Sequence, residues 1–241
     1  MTFKDWKEYY TENQGQFDWL NFVVIDTITQ SEKIIIQKSL QEFQKGENSE
    51  GKNLIHYARE FGNQDYLDAI ILFIKEEQQH ALVLGKFMKV NDIPKIKTHW
   101  VDSVFRGLRK MAGLENSVTV LLTAEVISAI YYKGLYKATN SNILKLICNR
   151  ILIDEEMHIN FQTFTLSEYY EKKSSFGKLI NRIFHRILMA GTTIVVWAGH
   201  KKALKNGGYS FLKFYKEVFE EYNRAVNMIK GNLEIELKLT I

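Results

Sequence analysis

Apolar residues recur along this chain in steps of three and four over long stretches, broken by short polar clusters. That period belongs to amphipathic helices rather than strands. The first long stripe reads Ile36, Leu40, Phe43, Glu47, Gly51, Leu54, Ala58, Phe61 and predicts one helix over about 31–60, with Ser31 as its N-cap. Gly62-Asn63 interrupts the pattern, and a second helix to about residue 90 carries Tyr66, Ile70, Phe73, Glu77, His80, Leu84 and Phe87 on one face. A third, over about 115–138, presents Val118, Leu121, Leu122, Glu125, Ser128, Ala129 and Tyr132. The turn formers Thr139-Asn140-Ser141-Asn142 follow, and a fourth helix over about 142–171 presents Cys148, Ile151, Leu152, Glu155, His158, Ile159 and Gln162. Two more helices are expected over about 176–205 and 209–230, divided by Asn206-Gly207-Gly208.

The remaining segments are less regular. Residues 1–30 hold two aromatic-rich amphipathic pieces around Gly15, read as a short helix or two lying on the bundle. Residues 91–115 form a long connection with Pro94 and an amphipathic helix over 100–111, whose polar face holds Arg106, Arg109 and Lys110 and whose apolar face is expected to pack on the bundle. The tail over 232–241 alternates apolar and polar residues and reads either as a terminal strand or as a frayed end.

Composition agrees with an all-α chain. One proline in 241 residues favours long unbroken helices over turn-rich β structure. Nothing marks a second domain, so residues 1–241 read as a single unit. Its four-helix core lies over 31–171, with appended helices over 176–230. The lone cysteine, Cys148, excludes an intramolecular disulfide and any Cys-x-x-Cys motif. The net charge of +4 comes from scattered lysines and argues for solubility rather than nucleic-acid binding. No apolar leader opens the chain, and the longest apolar run, 187–199, falls short of the roughly 20 residues that span a bilayer. Cytoplasmic location without a transmembrane segment is the expectation. Arg182, His185, Arg186 and the 200–202 triplet flank that run, which suits a buried helix or a subunit interface better than a membrane anchor.

Charged residues on the apolar stripes carry the chemistry. The phrase Ile74-Lys75-Glu76-Glu77-Gln78-Gln79-His80 returns as Leu152-Ile153-Asp154-Glu155-Glu156-Met157-His158. On a helix, positions i and i+3 share a face, so Glu77 pairs with His80 and Glu155 with His158. Glu47 and Glu125 each precede the ligand glutamate by thirty residues (77 − 47 and 155 − 125), and the offset between halves is 78 throughout (125 − 47 and 155 − 77). Each helical turn falls midway between its two glutamates, so in antiparallel hairpins they meet at one height. The pattern reads as a duplicated helical hairpin carrying two metals. A single Glu-x-x-His is ordinarily a surface ion pair. Four carboxylates and two imidazoles converging in an apolar bundle instead need cations. Oxygen and nitrogen donors without thiolate suit iron or manganese.

The ligand pattern resembles the ferritin-like diiron-carboxylate superfamily, in which a Glu from each of two helices and Glu-x-x-His from each of two others hold the metals. The resemblance covers about 31–171 and rests on Glu47, Glu77-x-x-His80, Glu125 and Glu155-x-x-His158. It implies a four-helix bundle with one long crossover between its second and third helices, and a metal pair. Phe43-Gln44-Lys45-Gly46-Glu47, Phe105-Arg106-Gly107-Leu108-Arg109 and Thr123-Ala124-Glu125 also resemble a bacterial ferritin-like group to which no established activity attaches. In many relatives the acid before the ligand glutamate orients the His of the opposite helix; by that resemblance Asp154 serves His80 and Glu76 serves His158.

Several functions follow from such a site. The leading one is an oxidase or oxygenase in which two iron ions activate dioxygen, supplied with electrons by an external donor such as a ferredoxin. Alternatives are a ferroxidase or iron-binding protein, a dimanganese catalase-like enzyme acting on peroxide, and a metal-free scaffold; a mixed Mn/Fe pair and a homodimer also fit. Gly46, Gly51, Ser128 and Ala129 are small residues beside Glu47 and Glu125, where they either leave room for dioxygen or substrate or simply allow helix contact. Tyr132 reads as a core aromatic or a redox-active tyrosine. His56, His99, His185 and His200 lack the acid-His spacing and read as structural or surface residues.

Overall fold

A computed structural model of the chain describes residues 1–20, 26–97 and 113–235. The described residues are helical and contain no strand. In chain order the helices are α1 (Phe3–Glu12), α2 (Gln30–Glu47), α3 (Lys52–Glu60), α4 (Gln64–Val90), α5 (Leu114–Ala138), α6 (Asn142–Glu171), α7 (Ser175–Asn206) and α8 (Phe211–Ile229). The amphipathic helix expected over 100–111 lies outside the described residues. So does His99. Of the tail, residues 232–235 form no strand, and the rest lies outside the described residues.

Most helices start where a short polar side chain satisfies a free amide of the first turn. Thr29 caps α2 through the Glu32 amide, Asn63 caps α4 through Tyr66, and Ser141 caps α6 through Leu144. Ser174 and Ser210 do the same for α7 and α8. A reciprocal capping box between Thr2 and Asp5 opens α1. The cap expected at Ser31 is therefore at Thr29, two residues earlier; Ser31 instead shares a 3.0 Å hydroxyl hydrogen bond with it.

One larger correction concerns the first core helix. The helix expected over 31–60 is two, because α2 ends at Glu47 and α3 begins at Lys52. Gly51 adopts φ +58°, and a Cβ there would overlap the Ile74 side chain. Only glycine takes that conformation and that approach together. The apolar period of four, three and four residues nevertheless runs across the break, from Glu47 to Ala58.

Helices α2, α4, α5 and α6 surround the centre, with α1 packed on α4, α7 on α5 and α2, and α8 on α6 and α5. One contiguous apolar core runs from Trp6 through Met228. Trp6, Tyr9 and Tyr10 of α1 are buried, and the Trp6 ring lies 5.3 Å from that of Phe161. Such aromatics bury large areas, so α1 belongs to the core rather than to its surface. At the other end, the turn into α8 crosses α5 so closely that a Cβ on Gly207 would overlap the Gly134 carbonyl.

Two helices, α5 and α7, are long and apolar enough to cross a membrane by length and composition. In α5 that apolar window is 72 % buried within the protein, in α7 only 28 %. Helix α7 is pinned to the bundle along one side. His200 Nδ1 lies 2.8 Å from Ser39 Oγ, Ser39 donates to the Tyr131 hydroxyl, and the Asn206 amide donates to the Ala138 carbonyl.

Candidate metal centre

Each expected ligand is positioned by a different stretch of the core. Glu47 is the final residue of α2, Glu77 and His80 lie mid-way along α4, Glu125 is mid-α5, and Glu155 and His158 are mid-α6. The fold brings all six together. Glu47, Glu77 and His80 each offer one donor atom within 4.8 Å of the others, and so do Glu77, Glu125, Glu155 and His158. Glu77 belongs to both groups. Its Oε1 lies 3.4 Å from His80 Nδ1 and 3.2 Å from His158 Nδ1. His158 Nδ1 is also 3.4 Å from a Glu125 oxygen.

The outer side of each imidazole is fixed by an acid from the opposite helix. Asp154 on α6 accepts from His80 Nε2 at 3.0 Å, and Glu76 on α4 accepts from His158 Nε2 at 2.8 Å. These crossed bonds match the geometry expected from the resemblance. With the ring proton held on Nε2, the Nδ1 lone pair of each His points into the carboxylate cluster.

That inner side is where polar atoms lack partners. His80 Nδ1, His158 Nδ1, Glu77 Oε1 and both Glu155 oxygens are buried without a hydrogen bond among the described residues. The Nδ1–carboxylate separations are ion-pair distances, but too poorly directed to be hydrogen bonds. Buried polar atoms are nearly always satisfied, so five orphans converging on one small volume mark a place built for something else. Lone pairs of nitrogen and oxygen facing each other fit a cation between them. The donor set, four carboxylates and two imidazoles, fits two divalent ions in charge and in type.

Without cations, protons take over part of that neutralisation. Burial opposes a charged His80, yet the hydrogen bond to Asp154 and the negative charge of the nearby Glu77 outweigh it and hold the ring at about 10. His158 is likewise held well above the ordinary histidine value, against burial, by Glu125, Glu76 and Glu77. Burial, reinforced by Glu77, pushes Glu47 well above the carboxylate range; burial and Glu125 do the same to Glu155. Glu77 goes the other way, because His158 and His80 overcome its burial and keep it well below that range.

No protein-family model, curated protein or solved structure matches this chain. The residues alone carry the reading.

Several contributors were not visible in the sequence. Asn13, just past α1, donates to Glu76 at 2.6 Å and to Asp154 at 3.0 Å, tying the two outer acids together. Arg150, one turn before Asp154 on α6, donates to both Asp154 and Asn13. The i,i+4 spacing of Arg150 and Asp154 was a signal for that pair; nothing local marks Asn13. The Tyr132 hydroxyl donates to Glu47 Oε1 at 2.6 Å, so this tyrosine positions a carboxylate rather than only filling the core. The small residues beside Glu47 read either as room for a substrate or as close helix contact, and the glycines do not give room at the cluster. Gly46 is exposed, and Gly51 is closed by Ile74. Of the other histidines, His56 is exposed beside Glu60, whereas His185 and His200 are buried away from the cluster.

Proposed function

We propose that this protein binds two metal ions, iron in the first instance, and uses them to activate dioxygen as an oxidase or oxygenase. The bundle of α2, α4, α5 and α6, with the long connection between α4 and α5, is compatible with a ferritin-like architecture. One observation carries the reading: two buried imidazoles, each oriented by an acid on its Nε2 side, turn unpartnered Nδ1 atoms toward four carboxylates. A bound iron pair supplies the electrons that dioxygen reduction needs.

The chain's own residues prepare that chemistry. Asp154 and Glu76 hold the ring protons outward, and Asn13 with Arg150 holds those acids in turn. Tyr132 holds the Glu47 carboxylate through one of its oxygens. Phe73 and Tyr10 stand against His158, at ring separations of 4.7 and 6.3 Å, and Phe17 stands 5.9 Å from His80. This apolar wall keeps bulk water off the imidazoles and strengthens the electrostatics inside. The chain has one cysteine, Cys148, buried in the core, so electrons for repeated turnover come from a separate donor.

Metal analysis of protein purified without chelator, with anomalous scattering at the iron and manganese edges, tests the proposal. Two ions per chain at the six residues support it, and loss of uptake in Glu47→Ala and His158→Ala locates them. Iron with dioxygen consumption supports the oxidase; manganese with oxygen evolved from peroxide moves the function to a catalase. Iron accumulated in a large hollow assembly moves it to storage. Undiminished uptake in both variants removes the site.

A further inference from the structure

The side that α7 turns away from the bundle is apolar over most of its length. Phe176, Ile180, Ile183, Ile187 and Ile194 follow at helical steps and are 72, 48, 48, 67 and 53 % exposed. From 176 to 194 they cover about 27 Å of helix. A continuous exposed stripe of this kind marks an interaction surface. No described residue covers it.

Charge decides what does. Helix α7 contains six Lys and Arg residues, Lys178, Arg182, Arg186, Lys201, Lys202 and Lys205, and no Asp or Glu. Arg182 and Arg186 border the stripe. They also open a cavity of about 460 Å³ between α7 and α8, completed by Ile183, Tyr222, Asn223, Val226, Asn227 and Lys230. No acid lines it. Tyr222 is 2 % exposed, and its hydroxyl has no partner among the described residues. Cations, side-chain amides and a buried hydroxyl donor without an acceptor fit an anionic oxygen group such as a phosphate.

A second copy docking stripe to stripe would bring together two helices that carry no acid to pair with these cations. An anionic lipid surface complements both the apolar stripe and its basic margin. The helix lies on such a surface rather than crossing it. Met189, Thr193, Val196, His200 and Leu204 on its other side are buried in the bundle, and Asn181 is hydrogen-bonded to Glu115 of α5. We propose that α7 docks this protein, lying in the plane of the interface, on an anionic phospholipid membrane, with a headgroup phosphate taken up between Arg182, Arg186 and Lys230.

Vesicle flotation with the full chain tests this, comparing vesicles of phosphatidylcholine alone with vesicles containing phosphatidylglycerol. Binding is expected to the anionic vesicles only, and to weaken as salt rises. Arg182→Gln with Arg186→Gln should weaken it roughly thirty-fold, at about a factor of five for each cation near the surface. Ile187→Glu should abolish it while leaving the melting temperature unchanged, since that side chain is already in water. Absence of flotation, or flotation untouched by these variants, overturns the proposal. So does a dimer in gel filtration that Ile187→Glu converts to monomer, which would assign the stripe to a second copy. None of these readouts depends on metal.

Discussion

Replacing Asp154 by Asn isolates the outer support of the cluster with almost no change in shape. Asp154 is fully buried, with one oxygen on His80 Nε2 and the other shared by Asn13 and Arg150. An amide can offer its oxygen to only one of those two sides. If it faces His80, its NH2 group meets the donors of Asn13 and Arg150; if it turns round, His80 loses its acceptor and the ring is free to rotate or change tautomer. Loss of such an orienting partner weakens metal binding about 10- to 100-fold. A ligand present at a hundred times its Kd stabilises the folded state by about 2.7 kcal/mol. At the same free metal concentration the variant would keep about 1.4 kcal/mol after a tenfold loss and about 0.4 kcal/mol after a hundredfold one. For a chain of this size 1 kcal/mol moves Tm by roughly 2–4 °C. Wild-type protein should therefore melt about 5–11 °C higher with Mn(II) than with chelator, and Asp154→Asn about 1–6 °C higher. The assay is differential scanning calorimetry of both proteins under both conditions, so that any loss in the metal-free state is subtracted. An equal metal-induced rise in the two proteins would refute the orienting role. No rise in the wild type with Mn(II), Fe(II) or Co(II) would refute the site.

Three further outcomes test other parts of the structure. Tyr132→Phe removes the hydroxyl from Glu47 and should destabilise the metal-free protein by about 1 kcal/mol in urea unfolding, with unchanged helix content. His185 is buried with no partner for its Nε2 among the described residues, and burial lowers it from 6.5 to about 4. The unfolded chain therefore takes up that proton first as pH falls, so the stability due to the neutral ring is complete above about pH 6.5 and declines toward pH 4, by up to about 3 kcal/mol. His185→Leu should narrow its deficit against wild type over that window; parallel curves would show that the ring does not titrate differently on folding. Gly207→Ala must push the α7–α8 turn away from the Gly134 carbonyl and should cost about 1–3 kcal/mol of stability, read as a lower urea midpoint.

The periodic parts of the fold were legible because their signals were local. The stripes of α4, α5 and α6 and the polar turn before Asn142 place those helices within a residue or two of where they lie. The six cluster residues could be found because each is a charge or an imidazole on an otherwise apolar face, and because the chain repeats them at a fixed offset. The break after Glu47 was masked by an apolar register that keeps helical phase through it. Asn48, Ser49 and Gly51 are turn formers, but the stripe outvoted them. Asn13 could not be read at all as a support of the cluster, and Arg150 only through its spacing from Asp154. The role of Asn13 depends on α1 packing against α4, a contact between segments more than fifty residues apart that no local pattern encodes.

The same break makes the two repeated halves unequal in mechanics although they match in chemistry. Glu125 sits inside a 25-residue helix, held by hydrogen bonds on both sides. Glu47 is the last residue of its helix, followed by four non-helical residues and then a helix of only nine. Helix ends and short helices open with far less free energy than helix interiors. One of the six side chains, the Glu47 carboxylate, can thus swing while the other five stay in place, with Tyr132 as its latch. Hydrogen exchange should show this as fast exchange at 48–52 beside slow exchange around Glu125. A duplicated sequence has in this way become one rigid jaw and one hinged one.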